Sequence, residues 1–204
     1  MTRPMTDESN EVGSADVRAR IVAAAVELFG KRGYAGTSLR EIAERARTTK
    51  PMIYYYFRSK EGLYLSTLGD LLHPLAAALD RAVPPDGSPL ERLRAFCDGY
   101  LAYFQAQEPH VAFIVREVFG LGGEVTGEFG RTLDDRLRSR VRRILTDGIE
   151  RGQFRAADVE MSTTAITGIL NMFILRRVFG GQSLDRAAAV EQVVDYYVEG
   201  LRAR

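Results

Sequence analysis

The stretch 39–60 constrains this chain most, because it carries two short helical patterns with almost nothing between them. Apolar residues recur at helical spacing in its first part, at Leu39, Ile42, Ala43 and Ala46. A second apolar pair lies one turn apart, at Ile53 and Phe57. Only residues 47–49 separate the two patterns, which is too short for a flexible linker. This spacing predicts a helix-turn-helix whose second helix is held at a steep angle to the first.

Residues that favour helix starts stand at both predicted boundaries. Ser38 followed by Glu41 makes a capping box, in which the hydroxyl accepts a free amide N–H and the carboxylate reaches back to the cap. Thr48 or Thr49 is placed to cap the second helix. Pro51 falls in the first turn of that helix, where a missing N–H breaks no internal hydrogen bond.

Three consecutive tyrosines, residues 54–56, give the main functional argument. Successive helical residues are about 100° apart, so the three rings sweep most of the circumference and cannot all be buried. With the apolar pair of this helix directed inward, Tyr54 and Tyr55 are left outside beside Lys50, where their hydroxyls can donate to phosphates. The alternative is an aromatic patch packed on the neighbouring helix, and Tyr56 fits that alternative better. The segment is therefore expected to bind DNA.

The basic charge of the chain is concentrated in the same region. Residues 16–64 contain ten lysines and arginines against five acidic residues, although the whole chain has a net charge of only +1. A surface that binds a polyanion requires such an excess of basic residues, although a basic face that only contacts solvent would show the same excess. The charge therefore supports the DNA-binding interpretation without establishing it.

The sequence GYAGTSLREIAERARTTKPMIYYYFRSKEGLY, residues 33–64, resembles the N-terminal signature of the tetracycline-repressor (TetR) family of bacterial transcription regulators. The resemblance implies that three residues lie in the major groove: Lys50, Pro51 and Tyr54. It also implies that Arg40 can reach a base, and that three residues meet the phosphate backbone: Ser38, Tyr55 and Lys60. Arg47 and Thr49, in the connection between the helices, complete the candidate DNA contacts.

Arg47 departs from the family pattern, because members usually carry glycine at this position. A non-glycine residue in a left-handed conformation costs about 1 to 2 kcal/mol. Either Arg47 accepts this cost and gains a phosphate contact, or the turn takes another conformation. The sequence leaves both alternatives open.

The periodicity of the rest of the chain is helical, with no strand alternation. We expect an all-α fold with three parts: a flexible N-terminal tail (1–15), a three-helix helix-turn-helix DNA-binding domain (16–64), and a larger helical domain for effector binding and dimerisation (65–204). A helix starting at Ser59 is expected to link the two domains mechanically.

The last two predicted helices, Val159 to Phe179 and Leu184 to Leu201, need their apolar residues covered. The first is apolar around most of its circumference, and the second carries Val190, Val193 and Val194 at helical spacing. A second copy offering the same pair would close a four-helix bundle, as the resemblance also implies. The alternative is that both helices pack within one chain. We expect a homodimer whose two heads read a palindromic operator.

The larger domain contains aromatic, flexible and polar side chains suited to a small-molecule cavity. The candidates for effector binding are Tyr100, Tyr103, Phe104, Phe113, Arg116, Asn171, Met172 and Phe173. Each of them is equally compatible with an ordinary core, and the two polar ones with an internal hydrogen bond or salt bridge. A pocket built from a subset is implied by the family resemblance.

Other classes of protein are disfavoured by composition. Two histidines, one cysteine and scattered carboxylates offer no catalytic constellation and no metal site, so we expect neither an enzyme nor a bound cofactor. No run reaches the roughly 18 apolar residues of a membrane span, and the first 14 residues do not resemble a signal peptide, which predicts a cytoplasmic protein. The sequence thus predicts a ligand-responsive transcription regulator, in the form of a repressor. The alternative is a constitutive DNA-binding protein without an effector.

Overall fold

The computed structural model describes residues 8–107, 110–118, 127–181 and 183–201. These ranges contain the following helices: α1 (Glu8–Arg32), α2 (Leu39–Arg45), α3 (Lys50–Phe57), α4 (Lys60–Ala82), α5 (Pro89–Ala106), α6 (Val111–Val118), α7 (Gly127–Glu150), α8 (Val159–Gly180) and α9 (Arg186–Leu201). No β-strand occurs within the ranges described. The predicted all-α fold is confirmed.

The first helix begins earlier than its sequence suggests. α1 starts at Glu8, inside the segment 1–15 that was expected to be a flexible tail, so the end of that segment is helical. Apolar periodicity is a poor guide here, because residues 8–15 are mostly polar. They contain no proline, however, and acidic residues such as Glu8 and Glu11 favour the first turns through the helix dipole.

Helices α1 to α3 form a small head around one core. Ile21, Ala25 and Phe29 of α1 are fully buried, and so are Ile42 of α2 and Ile53 of α3. Apolar residues at the predicted spacing thus face inward on all three helices. α1 packs against α2 and α4, and α4 packs against α3, so neighbouring helices hold both members of the helix-turn-helix, α2 and α3, which we call the reading pair.

The long helix α4 carries the chain from the head into the larger part. Its start is capped by Ser59, whose hydroxyl accepts the Gly62 N–H at 2.9 Å, as predicted. Four leucines spread along its length are inaccessible to solvent: Leu63, Leu72, Leu75 and Leu79. Because α4 packs against α5, α6 and α7 as well as α1 and α3, it belongs to both parts of the molecule.

Helix α5 occupies the centre of the larger part. It begins with a second capping box, formed by Ser88 and Glu91, and it packs against α4, α7, α8 and α9. The valine stripe of α9 lies against it, since Val190, Val193 and Val194 are buried within the chain. The expectation that a partner covers this stripe is therefore wrong. A helical stripe shows that some apolar neighbour is needed, but not that the neighbour belongs to another chain.

An aromatic cluster joins the head to the larger part. The ring of Phe29 lies 4.7 Å from that of Tyr64, and Phe113 of α6 lies 5.3 Å from Tyr64 and 6.2 Å from Phe29. All three side chains are almost completely buried. The cluster therefore connects α1, α4 and α6 in one continuous core.

None of the helices described is both long enough and apolar enough to cross a membrane.

Candidate nucleic-acid interface

The start of the reading pair is fixed by the predicted capping box. Ser38 Oγ accepts the Glu41 N–H at 3.2 Å, and Glu41 Oε2 accepts the Ser38 N–H at 2.9 Å and its hydroxyl at 2.7 Å. These hydrogen bonds, with the Arg32 guanidinium at 2.6 Å, hold the pKa of the Glu41 carboxyl below its usual value. Ser38 is exposed beside the reading pair, but its hydroxyl is already used by the cap.

The turn between α2 and α3 is left-handed at Arg47, which has φ of 51°. Arg47 therefore adopts the left-handed conformation of the first alternative, and its phosphate contact stays a prediction. The turn is closed by the Thr48 N–H, which donates to the Ala43 carbonyl at 2.9 Å, and by Arg20 of α1, whose Nε donates to the Ala46 carbonyl at 3.2 Å. The Arg47 side chain is exposed and makes no ion pair within the part of the chain described.

Replacing Arg47 by glycine is expected to stabilise the protein by about 1 kcal/mol, because glycine adopts a positive φ without steric cost. Arg47→Ala is the matched control, since it removes the same side chain but keeps the strained backbone. Urea denaturation of the three proteins measures the difference. Equal free energies of unfolding for the glycine and alanine variants would contradict the account of the turn.

Helix α3 presents its polar and aromatic side chains to solvent as predicted. Tyr54 is 52% exposed and Tyr55 is 75% exposed, and both Lys50 and Pro51 are exposed in the first turn. Tyr56 is half-buried, with its ring 5.1 Å from that of Tyr55. The outward side of α3 is therefore a surface of hydroxyls and one ammonium group.

Thr49 stands at the N-cap position of α3, but its side chain makes no capping hydrogen bond. Neither of the two threonines proposed as a cap therefore acts as one through its hydroxyl in this structure. The first turn of α3 is instead satisfied by backbone hydrogen bonds, because the Thr49 carbonyl accepts the N–H groups of Met52 and Ile53. The exposed Thr49 hydroxyl remains at the surface of the reading pair.

Two basic candidates are engaged with neighbouring side chains. Arg40 forms an exposed ion pair with Glu44 one turn away, at 2.9 Å. Lys60 lies over the ring of Tyr34, with Nζ 4.3 Å from the centroid. Burial lowers the pKa of Lys60, partly opposed by the charge of Glu41. Exposed pairs such as that of Arg40 contribute little free energy, so this guanidinium can exchange its partner at low cost.

Sequence reasoning missed Arg58, which lies between α3 and α4. Its φ is 64°, its side chain is exposed, and it makes no ion pair within the described ranges. The positive φ of Arg58 reverses the chain after α3, so Arg58 lies on the same end of the head as Lys60. A basic residue directly before the Ser59 cap was visible in the sequence and is the signal that was overlooked.

A basic groove lies beside the turn on the α1 side. Its volume is about 370 Å³, and three arginines line it together with Glu27: Arg20, Arg45 and Arg47. Arg45 is paired with Glu27 at 2.6 Å, and this contact and the bond from Lys31 lower the pKa of the Glu27 carboxyl. The arginines extend the positive surface beyond the two helices of the reading pair.

Part of the set expected to bind an effector comes together in the interior. Tyr100 is buried and donates its hydroxyl to Asn171 Oδ1 at 2.7 Å, and its ring lies 4.9 Å from that of Phe104. Tyr103 is also buried and donates to the carbonyl oxygen of Leu71. The polar groups of this cluster thus have partners within the chain.

The other members of that set are dispersed. Phe113 belongs to the aromatic cluster that joins the head to the larger part, and Met172 is 55% exposed on α8. Phe173 lines a cleft of about 180 Å³ between α8 and α9. Arg116 lies in α6, but its side chain falls outside those described. The described members therefore do not surround one common cavity.

Neither metal nor thiol chemistry is indicated in the described part of the chain. No group of three or more histidine, cysteine or acidic side chains is placed there to hold a metal ion. Cys97 is inaccessible to solvent, and burial raises the pKa of its thiol to about 12. A thiol of this kind is a packing residue.

Comparisons with known proteins agree with this arrangement of the helices. The family model for bacterial regulatory proteins of the tetR family matches residues 21–67, and that for tetracyclin repressor-like C-terminal domains matches residues 86–174. A helix-turn-helix transcriptional repressor from Mycobacterium tuberculosis is 37% identical over 128 residues, which cover 57% of this chain and 67% of that protein.

Solved structures support the same relationship. The TetR-family regulator PfmR from Thermus thermophilus has a TM-score of 0.73 at 28% identity, covering 90% of this chain and 100% of its own. The regulator FadR from Bacillus subtilis has a TM-score of 0.78 at 20% identity, covering 90% and 99% of the two chains. The second likeness shows the fold alone.

Proposed function

This chain belongs to the tetracycline-repressor (TetR) family of bacterial regulatory proteins, and we propose that it is a homodimeric repressor that binds a palindromic operator and is released by a small-molecule effector. Membership of the family makes it a DNA-binding transcription regulator and not an enzyme, as expected from the sequence. The observation that carries the DNA-binding part of the proposal is the exposed surface of α3, with Lys50, Tyr54 and Tyr55 directed away from the core.

The proposed DNA surface combines base reading with phosphate contacts. Lys50 donates to purine edges in the major groove, with Pro51 touching thymine methyl groups. Tyr54 and Tyr55 donate their hydroxyls from the outward side of α3. The remaining contacts come from the periphery of the pair: Ser38, Arg40, Arg47, Thr49 and Lys60. The groove beside Arg47 supports this assignment, since it continues the positive surface along α1.

Exchanging Lys50 for alanine is expected to weaken operator binding by about 1 to 3 kcal/mol and to relax the preference for one base pair. Tyr54→Phe removes one hydroxyl and is expected to cost about 1 kcal/mol without changing sequence preference. Both residues are exposed, so neither substitution should affect folding. Band-shift titration on an operator selected from random DNA measures both effects.

Lys31→Ala is the matched control for these titrations, because Lys31 is also exposed but lies in the last turn of α1, paired with Glu27. Its operator affinity should equal that of the wild-type protein. The DNA-binding assignment fails if Lys50→Ala and Tyr54→Phe both keep wild-type affinity and preference.

Dimerisation is proposed to use the outward face of α8. Four large apolar side chains on this helix are exposed: Met161 (66%), Ile169 (37%), Met172 (55%) and Phe179 (66%). Their spacing places them in one stripe, opposite the buried Ile166, Leu170 and Ile174. Gly168 lies in the same stripe, with open space where a Cβ would be, so a second helix can approach closely.

A two-fold axis at this stripe would bring α8 against its own copy, with α9 alongside. An isologous contact of this kind is self-complementary. A palindromic operator requires two heads about 34 to 36 Å apart, or a multiple of this distance. The stripe thus supports the dimer, on which the palindromic form of the operator depends.

Release from DNA requires an effector that prefers one arrangement of the two heads, because equal affinity for both would shift no equilibrium. We place the coupling in α4, which is capped beside the recognition helix and packs along the larger part. A mostly apolar effector that enters the interior cluster of Tyr100, Phe104 and Asn171 would replace the contacts that these side chains make with one another. A constitutive DNA-binding protein is the alternative, and operator affinity that no small molecule changes would favour it.

A further inference from the structure

A cleft on the side of the larger part contains charged groups that the proposed function has not used. It lies between the end of α4, the first turn of α5 and the middle of α7, and its volume is about 180 Å³. Val83 and Pro85 provide the accessible apolar walls above the buried Leu79 and Ile144, and three guanidinium groups surround them: Arg92, Arg140 and Arg143.

Arg140 is mostly buried and ties α7 to α4. Its Nε and Nη2 donate to the two carboxylate oxygens of Asp80 at 2.9 and 3.0 Å, while its Nη1 donates to the Arg136 carbonyl. Only 17% of the Arg140 side chain is exposed, against 64% of the Asp80 side chain. Hydrogen bonding by Arg140 and the nearby charge of Arg143 lower the pKa of Asp80. The Asp80 carboxylate is therefore ionised, and both of its oxygens accept hydrogen bonds from Arg140.

The other two arginines are incompletely satisfied. Arg92 donates from Nη1 to Asp147 at 2.8 Å, but its Nε is enclosed without a partner in the described part of the chain. Asp147 is shared with Arg151, so it does not fully balance Arg92. Arg143 is exposed, and among the residues described it donates only to the Ser139 carbonyl, at 3.3 Å. Three guanidinium groups thus line the cleft against the single carboxylate of Asp80.

We propose that this cleft binds a small organic anion, in which a carboxylate contacts Arg143 and Arg92 while an apolar body rests on Val83 and Pro85. Guanidinium groups bind carboxylates through paired N–H donors, which gives geometric selectivity as well as charge. An inorganic anion would leave the apolar walls uncovered. The volume is below the roughly 300 Å³ of typical ligand pockets, so the anion is an aromatic or short branched carboxylate rather than a nucleotide.

The position of the cleft gives the anion a route to the DNA-binding head. A carboxylate held by Arg143 and Arg92 lies beside Asp80 and repels it, and Asp80 stands near the end of α4, whose first turn packs against α3. Anion binding therefore loosens the connection between α4 and α7. That this movement releases DNA rests on the proposed function, whereas the binding site itself does not.

Thermal melting of the full chain without DNA tests the site. The probes are sodium benzoate, 3-phenylpropionate and 4-methylpentanoate, each compared with its uncharged primary amide and with inorganic phosphate at matched ionic strength. We expect at least one carboxylate to raise the Tm by several degrees at ten times its Kd, and the amides and phosphate to have no effect. Arg143→Gln should weaken carboxylate binding about tenfold, because it removes a charge-assisted hydrogen bond. Arg143 is exposed, so the substitution should not affect folding. Arg81→Gln, an exposed arginine of α4 outside the cleft, should bind like the wild-type protein.

The possible outcomes separate the site from the regulatory mechanism. The site is overturned if no carboxylate raises the Tm, if amides or phosphate act equally, or if Arg143→Gln binds the carboxylate as tightly as Arg81→Gln. Band shifts with the bound carboxylate then test its role: weaker operator binding supports an effector, and unchanged binding overturns that role. Absence of DNA binding without any anion would overturn the proposed function, and the melting experiment would still decide the site.

Discussion

Met172→Glu is expected to turn the dimer into a monomer and to weaken operator binding by at least about a hundredfold. Met172 is 55% exposed in the single chain, so the substitution leaves the fold of each subunit intact. In a dimer that buries the α8 stripe, it would place an unpaired carboxylate in an apolar contact, at a cost of roughly 3 kcal/mol per subunit. The two-fold axis doubles this cost, which raises the dimer Kd by about four orders of magnitude.

Light scattering at micromolar concentration measures the oligomeric state, and circular dichroism checks that the helices remain. Thr146→Glu provides the control, because it adds the same charge at an exposed position of α7, away from the stripe. It should remain dimeric and bind DNA normally. If Met172→Glu also remains dimeric, α8 does not form the interface and the account of the stripe must be abandoned.

Gly62→Ala is expected to destabilise the protein by about 2 to 3 kcal/mol and to lower operator affinity at least tenfold. Alanine normally stabilises a helix relative to glycine. At Gly62, however, the added Cβ would overlap the carbonyl oxygen of Phe57 and come within 3.3 Å of Ser59 Oγ. The left-handed Arg58 turns that carbonyl toward the first turn of α4. The recognition helix must therefore move away from α4 to admit one methyl group.

Gly30→Ala is the matched control, since it makes the same change in α1 of the same head. A Cβ at residue 30 would lie 3.5 Å from the Cβ of Phe113, which is an ordinary contact. Because alanine is favoured over glycine inside a helix, this variant should be more stable than the wild-type protein by about 0.5 to 1 kcal/mol. Urea denaturation and band shifts compare the two variants. Wild-type stability and affinity in Gly62→Ala would show that the corner between α3 and α4 is adaptable.

The head was predictable because its signals are local. The cap of Ser38 and Glu41, the proline in the first turn of α3 and the apolar pair one turn apart each restrict a few adjacent residues. These restrictions agree with one another, and they place Tyr54 and Tyr55 outside without any knowledge of distant packing. Agreement between independent local rules is what makes a short segment specify one conformation.

The larger part was predictable as a set of helices but not as an arrangement. Val193 and Val194 of α9 needed an apolar neighbour, and the sequence does not state whether α5 or a second chain supplies it. α8 was recognised as apolar around its circumference, but only the structure separates its buried Leu170 and Ile174 from its exposed Met172. Side-chain partners such as Lys60 on Tyr34 depend equally on tertiary packing.

The aromatic contact of Phe29, Tyr64 and Phe113 limits how such regulators can be recombined. A graft that exchanges the first 64 residues for those of a relative would cut through α4 and leave Phe113 facing a foreign surface. Swapped heads must therefore bring a matching α6 with them, and changes of operator specificity are more readily made by single substitutions on the outer side of α3.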